Sequence, residues 1–390
     1  MSLIALLDEA VMKSTALVKG VAMGQFGGDS PESRTINRRF GIGEAAEMIG
    51  VSKTAIDKAE EDGRLPAPDM LESKGRAKAP RRAGYTINQI DSMRTVFKKH
   101  PWRAEGEDAV VVSIDGNKGG CFKTATNVHL AQWLSMAGYR VLLIDIDQQA
   151  HASMYFGYIP DLHVTGDDTV LPWMLGQRDD LSYAVKPTAW PNLEIIPSCL
   201  AMQVLEQQMP GAVLPVAEHM MLRAGIETIM DNYDVVLIDG HPDLGLGTIN
   251  QICASDIILV ATSAELNDYM SSVQYFTAVR DVLRNLDLGG FEPTLKVLLT
   301  KLGNPGSSSR WMEEQIRNQL GGLVLSGGIA ITDEVGKGQL RMMTMFEQDQ
   351  EHRSTISAWR RGLGVYQGVF NEILHSLIWK KWPSKWEVKP

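Results

Sequence analysis

Lys118 and Lys123 stand five residues apart around a pair of glycines, in the run VVVSIDGNKGGCFKTAT at Val110–Thr126. An apolar strand-like stretch leads into this loop, and a helix opens at Lys123-Thr124. Phosphate oxygens are held by several backbone N–H groups converging at a helix N-terminus, and Gly119 and Gly120 permit that close approach. Gly119, Gly120, Cys121, Phe122, Lys123, Thr124 and Ala125 are therefore the expected triphosphate-binding stretch. Lys123 can neutralise the β- and γ-phosphates, and the Thr124 hydroxyl can ligate Mg²⁺. Lys118 gives the loop the form KGGxxKT rather than GxxxxGK[ST], with a second lysine that crowds the same phosphate if both come from one subunit.

Such a loop needs a sheet behind it. Continuous apolar runs at Ala109–Ile114, Arg140–Asp145, Leu193–Pro197, Asp234–Asp239, Asp256–Ala261 and Leu295–Thr300 predict strands covered by helices on both faces. The expected fold class is α/β, a parallel-sheet P-loop domain over residues 109–390 whose C-terminal region from Thr332 is helical. Asp145, Asp147 and Asp239 fall at the C-terminal ends of two of these strands, where buried carboxylates make sense beside a cation.

The rest of the chain is read as three parts: a helical extension at 1–30 with a packing or dimer stripe (Leu3, Leu6, Leu7, Val11, Leu17), a compact helical module at 31–99, and a linker at 100–108 (HPWRAEGED). In the module, Gly43–Ile49 predicts one short helix, Gly50 a turn, and Ser52 the cap of a second helix, Lys53–Glu61. This is a helix-turn-helix pattern, with Ser52, Lys53 and Thr54 placed to meet base edges and Asp57 also exposed. The run Leu71–Arg82 carries Lys74, Arg76, Lys78, Arg81 and Arg82 against Glu72 alone, as a basic wing on phosphates would. The module resembles the winged helix-turn-helix of the MerR-like class.

The 390 residues carry a net charge of −9, with 44% hydrophobic and 22% charged content, which is ordinary globular composition. The charge is uneven. Residues 31–100 hold 14 Lys and Arg against 10 Asp and Glu, so the remaining 320 residues carry −13. A basic module on an acidic body suggests different partners for the two. Three cysteines form no framework and no CxxC or Cys/His metal spacing, and Cys121 is a small filler in the loop or an oxidisable site there. A reducing cytoplasm is expected, and no apolar run reaches the length of a membrane span. The tail WKKWPSKWEVKP mixes Trp and Lys, but Pro383 interrupts it as an amphipathic anchor.

The chain resembles the deviant-Walker ATPases of the ParA family that partition low-copy DNA, in particular the larger plasmid type with an N-terminal DNA-binding module. Besides the loop, the resemblance runs through GEAAEMIGVS, YFGYIPDLH, EIIPSCLA, WMEEQIR and TDEVGKGQ. It implies that Lys118 reaches the partner subunit's nucleotide in an ATP sandwich dimer. In LLIDIDQQAHAS, Asp147 would orient the attacking water and Asp145 support the metal shell. In DVVLIDGHP, Asp239 would hold Mg²⁺ through water. Lys337 and Arg341, at i,i+4 in DEVGKGQLR, would contact DNA phosphates when the dimer forms. The resemblance further implies ATP and ADP as ligands, a centromere-binding ParB-type partner, operator and non-specific DNA binding, and a homodimer. Possible higher-order assembly, no membrane, a cytoplasmic, nucleoid-associated location and autorepression go with it. Gln148, Gly240-His241, Ala261, Ser263 and His129 depart from the family pattern. Two alternatives stay open: a nucleotide-responsive repressor with little turnover, and a membrane-cycling division-site ATPase. An Fe–S relative is excluded for want of ligand cysteines.

Overall fold

The computed structural model describes residues 3–26, 30–71, 81–116, 119–160, 162–243, 245–286, 290–303, 307–339 and 341–386. The N-terminal helix α1 (Leu3–Phe26) leaves Leu3, Leu7, Val11 and Leu17 each more than half exposed. Next come α2 (Ile42–Ile49) and α3 (Lys53–Glu61), joined by a turn in which Gly50 takes φ 73°. Ser52 opens α3 by accepting a hydrogen bond from Ala55 N at 3.1 Å, the capping geometry its sequence position predicts. A short antiparallel pair, β1 (Met70–Leu71) and β2 (Arg81–Arg82), precedes α4 (Ile87–Phe97), which Thr86 and Gln89 cap reciprocally.

The remainder alternates β3 (Val110–Asp115), α5 (Lys123–Ala137), β4 (Val141–Asp145), α6 (His151–Tyr155), α7 (Leu171–Met174), β5 (Lys186–Pro187), β6 (Leu193–Ile196), α8 (Leu205–Gln208) and α9 (Met221–Glu227). It continues with β7 (Val235–Asp239), α10 (Leu246–Ala254), β8 (Ile257–Ser263), α11 (Leu266–Asn285), β9 (Thr294–Leu302), α12 (Ser307–Leu320), β10 (Val324–Ala330), α13 (Asp333–Gln339) and α14 (Ile356–Ile373). The described strands from β3 onward form one sheet in the order β10-β9-β8-β3-β7-β4-β6-β5, parallel throughout except for edge strand β5. Alternate residues feed two cores. Val110, Val112 and Ile114 face the side covered by α5 and α14, whereas Val111, Leu142, Ile144 and Ile238 face α7 to α9. The six expected strands are present to within one or two residues at each end. Strand β10 adds a seventh parallel strand that sequence reading places in no element. Its Gly327-Gly328 pair suppresses the strand signal, and a Cβ at Gly328 would lie 2.5 Å from Leu302 Cδ1.

The helical module is fastened to this body by buried arginines. Its Ile49, Ile56, Ile87 and Ile90 belong to the same apolar cluster as α5 and α14. Arg94, fully buried, donates to the carbonyls of Met48 (3.2 Å) and Met136. Arg34 pairs with Glu347 at 2.7 Å, both buried, and Arg38 donates to Phe346 O at 3.0 Å while its guanidinium lies over Phe40 and Trp359. The segment 100–108 is held as well: Trp102 Nε1 donates to Gly138 O (3.0 Å) and Lys385 Nζ to Pro101 O (2.7 Å).

Candidate nucleotide-phosphate site

Sheet register brings the carboxylates together before any loop is considered. Asp239 ends β7 opposite Asp145 of β4 on one side and Ile114 of β3 on the other, and Asp115 is the next residue of β3. All three carboxyls are buried. From the end of β3 the chain enters the glycine loop. Gly116 passes so close to β8 that a Cβ would sit 2.8 Å from Ala261 O. Gly120 takes φ 80° and Phe122 φ 60° immediately before α5. A non-glycine residue at positive φ costs on the order of 1 kcal/mol. Here it turns the backbone so that the first N–H groups of α5 face the loop's concavity.

Lys123, at the first position of α5, is buried among Asp239, Asp115 and Asp147; burial lowers its pKa and these carboxylates oppose that shift. The Thr124 hydroxyl hydrogen-bonds Asp239, which also accepts from Asn127 Nδ2 at 3.2 Å. Burial raises the Asp239 pKa, with Thr124 and Asn127 opposing and Asp147 reinforcing the shift. The other Asp239 oxygen, Oδ2, is buried without a partner. A buried orphan carboxylate oxygen beside a threonine hydroxyl is what a hard, hydrated cation requires: Mg²⁺ uses one or two protein oxygens and fills its octahedron with phosphate and water.

Asp145, expected to support the metal shell, is bound by the loop that follows it. Its Oδ1 accepts from Asp147 N (3.0 Å), and its Oδ2 accepts from Ser153 N (2.9 Å) and Ser153 Oγ (2.7 Å). It is engaged in shaping the loop that carries Asp147, and its pKa is raised, first by burial and then by Asp239. Asp147 in turn accepts from Gln149 N at 2.9 Å and lines the cavity. This cavity measures 600 Å³ and is lined by Gly119, Gly120, Lys123, Thr124, Asp147 and His241, among others. Ala125 and Phe122 also border it, whereas Cys121 is buried with Sγ 3.8 Å from Asp268 of α11. Lys118 lies outside the described residues.

Sequence reading missed the network beneath the loop. Asp115 accepts from Tyr275 Oη (2.5 Å), Ser113 Oγ (2.9 Å) and Gln251 Nε2. Burial raises its pKa to about 6, and these donors oppose the rise. A Cβ on Gly240 would come within 1.8 Å of Gln251 Oε1, so this glycine makes room for the amide. His129 is likewise accounted for. Fully buried, it bonds Ala125 O through Nδ1 (2.6 Å) and Met345 N through Nε2 (3.3 Å), tying α5 to the C-terminal region. The only early signal of this network was the set of departures from the family pattern.

The predicted DNA-facing residues separate. Ser52, Lys53, Thr54 and Arg81 are exposed on the module. Arg82 is drawn inward instead, with 2.6 Å to Asp57, 2.7 Å to Glu60 and a hydrogen bond to Tyr85. Lys74, Arg76 and Lys78 lie outside the described residues. Lys337 and Arg341 are exposed, but they do not share a helix face: α13 ends at Gln339, and Lys337 hydrogen-bonds Ser354. Gly338 permits the close return of the chain after the helix, since a Cβ there would meet Met343 O at 2.3 Å. Trp382, central in the aromatic tail, is fully buried with Nε1 on Asp108 O (2.9 Å). No helix among the described residues is long and apolar enough to cross a membrane.

Over 388 residues the chain is 50% identical to Protein SopA from Escherichia coli (strain K12), covering 98% of this chain and 99% of that protein. The chain belongs to the SopA-like plasmid partition ATPases of the ParA type. A family profile described as AAA domain matches residues 109–287 of this SopA-like chain. A solved structure described as a partition protein has TM-score 0.62 at 18% identity, covering 94% of this chain and 99% of that one. Cobyrinic acid a,c-diamide synthase from Mycobacterium smegmatis, solved with an ATP analogue and magnesium, has TM-score 0.51 at 24% identity over 60% of this chain and 91% of that one. At these identities the two structures establish the fold, a mostly parallel P-loop sheet.

Proposed function

We propose that this SopA-like chain hydrolyses ATP to ADP and phosphate as the motor of a plasmid partition cycle. The observation that carries the reading is Asp239 Oδ2, buried and unpartnered beside Thr124 at the end of a glycine loop whose lysine stands among three aspartates. Backbone N–H groups of residues 119–125 cradle the phosphates, and Lys123 neutralises them. Thr124 and Asp239 hold Mg²⁺, as the magnesium-containing relative of the same fold supports. Bound Mg²⁺ offsets charge developing on the phosphate oxygens. Asp147, presented by the loop that Asp145 ties, orients the water, and Asp145 supports the metal site through that loop. Lys118 acts across a homodimer that α1 and its exposed apolar stripe help to assemble, with higher-order assembly built on that dimer.

In the ATP state the dimer binds non-specific DNA, with Lys337 and Arg341 on phosphates, and a ParB-type centromere-binding partner stimulates turnover. The protein is then cytoplasmic and nucleoid-associated. The module at 31–99, joined through 100–108 to the ATPase domain at 109–390, binds the operator through Ser52, Lys53 and Thr54. Its wing, with Lys74, Arg76, Lys78 and Arg81, completes that surface, while Arg82 stays on Asp57 and Glu60. A second reading, a nucleotide-responsive repressor with little turnover, is favoured by one observation: Met342 lines the nucleotide cavity and its carbonyl accepts from Arg34 at 2.9 Å. The module is thereby linked to the cavity wall.

Steady-state hydrolysis with Mg²⁺, with and without random duplex DNA and the ParB-type partner, tests the motor against a Lys123→Ala control. Turnover that rises with DNA or partner and vanishes in the variant is the expected result. ATP binding with no Lys123-dependent turnover under any of these conditions replaces the motor by the repressor.

A further inference from the structure

The loop after β7 departs from the family pattern at Gly240-His241, and the structure places both residues against the site. Gly240 is shaped by Gln251, which reaches Asp115 under the glycine loop. That packing sets the course of 240–243 and delivers the next side chain, His241, into the phosphate cavity opposite Asp147. His241 Nε2 lies 4.0 Å from Asp147 Oδ1, and Nδ1 lies 3.1 Å from Asp243 Oδ2, off the line of a good hydrogen bond. The side chain is 30% exposed at the cavity mouth. Carboxylate, imidazole and carboxylate thus run in sequence from the rim to the group proposed to orient water. Asp243, 3.1 Å from Nδ1, limits the ring by contact and not by an aligned hydrogen bond, and Nε2 is the nitrogen nearer Asp147. A gap of 4.0 Å is spanned by one bridging water or closed by about a 1 Å shift.

We infer that His241, backed by Asp243, is a positioning residue for Asp147 in ATP hydrolysis. It rests on the motor reading given above. The imidazole limits where the Asp147 carboxylate can swing at the γ-phosphate end of the cavity, so that the water Asp147 orients stays in line. Its contribution falls on turnover and not on nucleotide capture, because Lys123 and the loop N–H groups bind the phosphates without it.

The test uses the full-length protein, DNA and ATP. His241→Ala is expected to lower DNA-stimulated kcat about tenfold while affinity for a fluorescent ATP analogue stays within about twofold. His241→Gln, which keeps a polar end at similar reach, should recover part of the loss. In the double variant with Asp147→Ala, no further decrease is expected beyond Asp147→Ala alone. A second readout needs no turnover: with ¹⁵N-histidine labelling, the His241 ring signals of the nucleotide-free protein should move on Asp147→Asn and on Asp243→Asn. Equal loss of affinity and kcat, fully additive effects, or ring signals indifferent to both aspartates would overturn the assignment. A parent protein that turns over in a Lys123- and Asp147-dependent way while His241→Ala matches it removes this inference alone. A parent with no Lys123-dependent turnover removes the motor reading and this inference together.

Discussion

Lys123 shows how a single side chain can be legible in sequence while its energetics are not. Its place after two glycines is enough to propose it for phosphate. That it is buried with three aspartates around it comes only from the strand ends that surround it. Lys123→Ala should lower nucleotide affinity at least about a hundredfold, because the loss leaves phosphate charge and no compensating cation; equilibrium binding of a fluorescent ATP analogue measures this directly. His129 makes a separate, pH-dependent prediction. Burial lowers its pKa from 6.5 to about 4, so the unfolded chain binds a proton that the folded chain refuses between these values. Its contribution therefore erodes stability as pH falls below about 6.5 and is complete below about pH 4, by about 3 kcal/mol at most. In urea titrations at pH 7 and pH 5, His129→Asn should show a smaller acid loss than the parent. The resemblance marks His129 as a departure from the family pattern. It could not show that Met345, far along the chain, supplies its second partner.

At the scale of elements, local signals carried most of the architecture. Helix α3 occupies the span its Ser cap and closing glycine predict, and the central strands follow from continuous apolar runs. Failures occurred where tertiary packing dictated the glycines. Gly327 and Gly328 hide β10, and Gly338 lets Met343 approach closely, in a stretch where Arg341 lies outside α13 and apart from the cation that helical spacing would have aligned with it. Gly138 illustrates the same dependence at the end of α5. It takes φ 98°, and a Cβ there would meet Arg94 Cδ at 2.7 Å. Gly138→Ala should cost about 1–3 kcal/mol through backbone strain and displaced arginine, lowering Tm by several degrees in calorimetry. Asp145 belongs here too: its position at a strand end suggested a metal shell, and its hydrogen bonds with residues 147 and 153 also make it the organiser of the next loop.

For the whole molecule, the arginines of the basic module divide between two roles. Arg34, Arg38 and Arg94 are buried in docking contacts, so the surplus positive charge of residues 31–100 is not all available to DNA. Arg34→Ala strands Glu347 in a buried site and should destabilise the protein by about 3–5 kcal/mol, whereas adding Glu347→Ala should restore part of that loss. Chemical denaturation of the two single variants and the double closes this cycle. For the exposed cations, DNA affinity in the ATP state should fall linearly with the logarithm of salt concentration, and losing Lys337 or Arg341 should flatten that slope by about one unit each. Unchanged slopes in filter-binding titrations would move the DNA surface elsewhere. By itself the sequence determined the glycine loop, the parallel sheet behind it, the capped helix pair and the family, because each depends on neighbours a few residues apart or on a repeating apolar pattern. The tertiary structure alone decided which arginines face solvent, which aspartate keeps an unpartnered oxygen for a cation, and why Gly240 and His129 stand where they do. Burial and hydrogen-bond satisfaction are set by groups distant in sequence, and no local spacing encodes them.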